Sequence, residues 1–102
     1  MIIQFEVKEQ QITQINKPFL VKDSKNYLKL HFNFNTAWKD LTKQIKFNSD
    51  EPIELIEDTI TVPSTVTDDE TFKFTLKGIN TEEDVIITTN TITIKQRDEA
   101  DK

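Results

Sequence analysis

Apolar and polar residues alternate with period two along most of this chain, the pattern of strands with one buried and one wet face. The clearest run is Tyr27 to Phe34, where Leu28, Leu30, Phe32 and Phe34 alternate with Lys29, His31 and Asn33. Ile3, Phe5 and Val7 alternate with Gln4 and Glu6 and predict a first strand. Ile12 and Ile15, in a polar stretch, predict a short second element. Pro18 before Phe19-Leu20-Val21 predicts a short edge strand, because proline has no N–H to give to a ladder. Further strands are expected at Lys43 to Asn48 with Ile45 and Phe47 inward, and at Pro52 to Glu57 with Ile53 and Leu55 inward. Two more are expected at Ile60-Thr61-Val62 and through Phe72, Phe74 and Leu76. The last element, Asp84 to Gln96, reads as the longest, and its phase changes. Val85 and Ile87 lie on odd positions and Ile92 and Ile94 on even ones, which predicts a bulge or kink near Thr89-Asn90.

Between these runs lie polar turns: Asp23 to Asn26, Asn48 to Pro52 and Asp58-Thr59. Asn35 to Asp40 reads as a connector with one helical turn capped by Asn35, and Pro63 to Val66 as a break with another. Gly78 is the only glycine, so asparagine and aspartate must supply most positive-φ turn positions. No amphipathic helix, internal repeat or low-complexity tract is present. Seven to nine short strands with frequent polar turns predict an all-β sandwich or small barrel, with seven Phe and one Trp filling much of its core.

The 102 residues suit one domain, placed at 1–96, with 97–102 as a polar tail or the start of a linker. No apolar run approaches the length of a membrane-spanning helix. The start, MIIQFEVKEQ, lacks the basic and apolar regions of a signal peptide and is expected to begin inside a strand. With no cysteine, disulfides and thiolate metal sites are excluded, which favours cytoplasmic synthesis. The net charge of −5 is uneven: residues 1–49 hold eight Lys against four acids, and residues 50–102 hold five basic residues against fourteen acids. Such a division reads first as charge scattered over solvated loops; the sharper reading is a positive and a negative patch able to steer contact with a partner or another copy. The acidic total disfavours binding to duplex nucleic acid.

Catalytic chemistry has little to build on. The serines, at positions 24, 49 and 64, sit in turn signatures, and the one histidine, His31, falls on the outward phase of its strand. Clusters at Asp50-Glu51, Glu57-Asp58, Asp68-Asp69-Glu70 and Glu82-Glu83-Asp84 read as solvated loops; they lack the calcium-loop spacing with its central glycine. No catalytic residue, metal ligand, cofactor or phosphate loop is predicted. Trp38, four residues after Phe34, is expected to cover the end of the core; the alternative is a platform for a sugar ring, shared with the outward Tyr27. The contact candidates are therefore Tyr27, Lys29, His31 and Trp38, with the acidic loops around Asp69 and Glu83.

DSKNYLKLHFNF with the downstream NTAWKDLTKQIKF, the TVPSTV break and the ending VIITTNTITI resemble small immunoglobulin-like β-sandwich domains encoded among structural genes of phages and prophages of low-GC Gram-positive bacteria. The resemblance runs from about Phe5 to Ile94. It implies an immunoglobulin-like antiparallel β-sandwich in a non-enzymatic virion component of tail tip, baseplate, fibre or decoration type. Such a protein is made in the host bacterial cytoplasm and acts through contacts with other virion proteins or with itself. Two other functions fit the size and charge: a carbohydrate-binding module for host surface glycans, and a small phage-encoded inhibitor of a host protein.

Overall fold

The period-two runs become nine strands in the computed structural model, which describes residues 1–18, 20, 27–68 and 70–96. They are β1 (Ile2–Lys8), β2 (Gln11–Gln14), β3 (Lys29–Phe34), β4 (Thr42–Phe47), β5 (Ile53–Glu54), β6 (Thr59–Thr61), β7 (Thr71–Asn80), β8 (Val85–Thr88) and β9 (Ile92–Lys95). A 3-10 turn, Thr36–Trp38, leads from β3 to β4, and a short helix α1, Ser64–Thr67, follows the Pro63 break. The first sheet has the order β2-β1-β3-β6 and the second β5-β4-β7-β8, with β9 also on β7. The chain is an all-β sandwich.

One pairing departs from the antiparallel expectation: β1 and β3 run parallel, in register from Ile2 opposite Lys29 to Val7 opposite Phe34. The cause is local. β2 folds back along the outer edge of β1, and the chain then re-enters at the end where β1 began, where the Lys29 N–H donates to the Met1 carbonyl at 2.9 Å. The remaining strand pairs are antiparallel.

Alternation delivers the core. Ile3, Phe5 and Val7 from β1, and Leu30 and Phe32 from β3, meet Ile45, Phe47, Phe72, Phe74 and Leu76 of the second sheet, all of them buried. Phe5 stacks on Phe32 at 5.3 Å, and Phe74 meets both edge-on across the sandwich, at 5.3 and 5.8 Å. Edge-to-face rings pack well because the positive ring edge meets the negative ring face. Ile53, expected inward, is 38% exposed. It does stand opposite Ile45, but β5 is only a two-residue edge strand with little above it.

Trp38 is fully buried and closes the end of the sandwich. Its ring lies 4.9 Å from Phe34, and its Nε1–H donates to the Glu9 carbonyl at 2.9 Å, so its polar atom is satisfied. Gly78 makes room for it: a Cβ there would stand 2.7 Å from Trp38 Cζ3 and 2.8 Å from Leu41 Cδ1. The only glycine is thus used for close approach and not for a turn. Positive φ falls on Glu9, Asp40, Asn48, Glu57, Asp58 and Asp84, with glutamate taking a share not expected of it. Asn35 stands at the start of the 3-10 turn but makes no side-chain cap; its Oδ1 accepts instead from the Glu9 N–H at 3.3 Å.

The phase change is a bulge. Lys77 stands opposite Thr88, but Phe74 stands opposite Ile92, so the β8–β9 edge holds one residue more than the β7 it follows. What read as the longest strand is two, and β7 is longer than either. At the break the Thr89 N–H donates to the Leu76 carbonyl at 3.0 Å, while the Leu76 N–H is accepted by the Thr89 hydroxyl, also at 3.0 Å. A side chain stands in for a ladder carbonyl. Asn90 turns out to the β1–β2 hairpin, where its Oδ1 accepts from Ile12 N–H at 2.8 Å and its N–H donates to the Gln10 carbonyl at 3.0 Å. The bulge thereby ties one sheet to the other. The expected Phe19–Val21 strand, the Asp23 to Asn26 turn and the 97–102 tail lie outside the described residues, except Leu20, which packs on the core.

Candidate functional site

The residues that alternate with the core of the second sheet form its outer face. On β7, Lys73, Thr75 and Lys77 point away from Phe72, Phe74 and Leu76. The register sets Lys77 between Gln44 and Thr88, Thr75 beside Lys46, and Thr71 beside Lys95. Lys46, Lys73, Lys77 and Lys95 are all exposed. Among the described residues the ion pairs are Lys8–Glu6 and Lys43–Asp58, so none of these four is in an ion pair, and the one carboxylate in their rows is the exposed Glu54, which lies across Gln44 from Lys77. Hydroxyls and amides fill the rows between them, and Thr75 and Thr91 share a 3.2 Å hydrogen bond. Two shallow grooves cross the face. One, of about 580 Å³, runs past Lys46, Asn48, Lys73 and Thr91; the other, of about 310 Å³, lies between Lys46, Pro52, Lys77 and Thr88.

Acids occupy the turns. Asp50 and Glu51 follow β4, and Glu82, Glu83 and Asp84 join β7 to β8, all exposed. Asp40, Glu82 and Glu83 line one hollow of about 790 Å³ at the end of the second sheet. On the second sheet lysine therefore lies mainly on the strand face and carboxylates mainly in the turns, with Glu54 of β5 the exception. The expected division by halves does not hold, because Lys73, Lys77 and Lys95 come from the acidic half of the chain.

The contact candidates scatter. Tyr27 is 56% exposed beside the first sheet. Lys29 is exposed on β3, and His31 is half-buried on that sheet's outer side, its Nδ1 2.8 Å from the Thr59 hydroxyl. Glu83 is exposed in the β7–β8 turn of the other sheet, and Asp69 lies outside the described residues. Trp38 is corrected: a fully buried indole offers no ring face to a sugar or a partner. Sequence reading missed the lysine face, although its signal was present in the outward phase of Phe72-Lys73-Phe74-Thr75-Leu76-Lys77. Lys43 is not part of that face; it bonds the Asp58 carboxylate at 3.1 Å and covers the Phe34 ring at 4.6 Å.

No group of three or more metal-binding side chains occurs among the described residues. The fold and its charged face define a β-sandwich with an exposed cationic sheet surface. No protein-family model matches the chain, and no curated protein or solved structure matches it either.

Proposed function

We propose that this protein is a non-enzymatic virion structural or assembly component that works by protein–protein contact, in keeping with the phage immunoglobulin-like domains its sequence resembles. The observation that carries the reading is the outer face of the second sheet, where Lys46, Lys73, Lys77 and Lys95 stand together outside any ion pair and outnumber the one acid of the face, Glu54. A cationic face on a net-acidic protein steers approach and fixes orientation more than it adds raw affinity. That suits a subunit which must dock in one register on its neighbours. Glycan recognition loses its better platform with the burial of Trp38, and Tyr27 alone makes a poor one.

The test is incorporation into particles. Phage purified from an induced lysogen carrying the gene should contain the chain at a fixed stoichiometry by quantitative mass spectrometry. The triple substitution K46E/K73E/K77E should remove it from the particle while leaving its thermal unfolding nearly unchanged. Particles that contain none of the wild-type chain would end the virion reading.

A further inference from the structure

The lysine face faces outward with nothing described over it, and the same molecule carries a surface that matches it. Asp40, Glu82 and Glu83 line one hollow, and Asp84 follows directly, so four carboxylates project from the β7–β8 end of the second sheet. All four are exposed, none is in an ion pair among the described residues, and they outnumber the one lysine of the same hollow, Lys39. Two of them, Asp40 and Asp84, hold positive φ, which fixes each in a tight turn. Opposite them in sign are Lys46, Lys73, Lys77 and Lys95, with Glu54 the one acid among them, on a strand-backed face with shallow grooves. The two surfaces lie on one sheet, so neither can fold onto the other within a single chain.

We propose that the acidic β7–β8 end of one copy docks on the lysine face of the second sheet of another. This inference rests on the assembly reading above and names the partner of that face as a second copy. Charge complementarity selects that occupant. The contact is heterologous, because two different patches meet, and it propagates from copy to copy instead of closing as a two-fold dimer. Each docked pair leaves one free acidic end and one free lysine face.

That geometry makes a charge-neutralisation experiment decisive. K46Q/K73Q/K77Q removes the receiving face, and E82Q/E83Q/D84N removes the docking end. Light scattering after size exclusion, at about 50 mM and about 500 mM salt, reads the mass, since the higher salt shortens the screening length well below the size of the patches. The wild type should show a mass that rises with protein concentration at low salt and falls to monomer at high salt. Each variant alone should be monomeric. Mixed one to one, the two should give a dimer that grows no further, because only one compatible pair of surfaces remains. The face variant carrying also E82Q/E83Q/D84N should not pair with the end variant, which separates specific docking from any other attraction between the two chains. Circular dichroism melts establish that every variant is folded.

The proposal is overturned if the wild type is monomeric in all conditions, if either variant alone still associates, or if the mixture stays monomeric. Association that survives high salt also overturns it and points instead to an apolar edge such as β8, where Ile86 is 60% exposed. Presence of the chain in purified particles is a separate result, so the virion reading and the self-docking inference fail independently.

Discussion

Gly78 and Thr89 show how one residue sets local structure here. Adding the β-carbon of alanine at 78 drives it into the Trp38 ring and Leu41, and two of those three atoms belong to a rigid indole. Overpacking of this kind costs about 1–3 kcal/mol. Urea unfolding of G78A should show a lower midpoint with an unchanged slope, and Trp38 emission should shift to the red if the ring is pushed toward water. An unchanged midpoint would mean the ring tilts freely, against its bond to Glu9. Thr89 is nearly the size of valine but supplies the acceptor for the buried Leu76 N–H. T89V keeps the shape and orphans that donor, at about 1–3 kcal/mol, whereas T89S retains the hydroxyl and should recover most of the loss. Equal stability of the two variants would show that packing, not the hydrogen bond, holds the bulge.

The turn between Ile56 and Thr59 is the weakest-fitted element. Its two central residues, Glu57 and Asp58, have φ of 55° and 62°, and the Thr59 N–H donates to the Ile56 carbonyl at 3.2 Å. Positive φ at both centres is the type I′ pattern, which favours asparagine and glycine. Asp58 compensates through its bond to Lys43 at 3.1 Å, but the Glu57 side chain makes no hydrogen bond or ion pair. E57N should therefore stabilise the protein by about 0.5–1 kcal/mol, because asparagine tolerates the left-handed region better. Thermal unfolding checks this, and a fall in the midpoint would mean Glu57 has a role its contacts do not show. The bulge at Thr89-Asn90 was legible in the sequence, since apolar residues switched from odd to even positions there. Its bond to the β1–β2 hairpin was not, because Gln10 and Ile12 lie far from Asn90 along the chain.

Over the whole molecule, the arrangement of charge outweighs its total. Net charge alone, at −5, would keep the protein off an anionic resin at pH 7. Its lysine face predicts retention on a sulfonate cation exchanger at low salt. K46E/K73E/K77E should lose that retention, while K8E/K29E/K39E, with the same net charge, should keep a large part of it. Equal loss in both variants would show that net charge alone governs the interaction, and the face would have no separate standing.

The sequence by itself determined the strands β1, β3, β4 and β7, the inward phase of their core residues, the bulge and the outward phase of Lys73 and Lys77. These follow from alternation, which is a local property of the pleated backbone. Only the tertiary structure decided that β1 and β3 run parallel, that Gly78 serves Trp38, and that lysines from opposite halves of the chain share one face. Register and sheet order bring together residues distant in sequence, and counting charge along the chain cannot see that neighbourhood. Alternation states which way a side chain points; the pairing of β4, β7 and β9 states what it points beside.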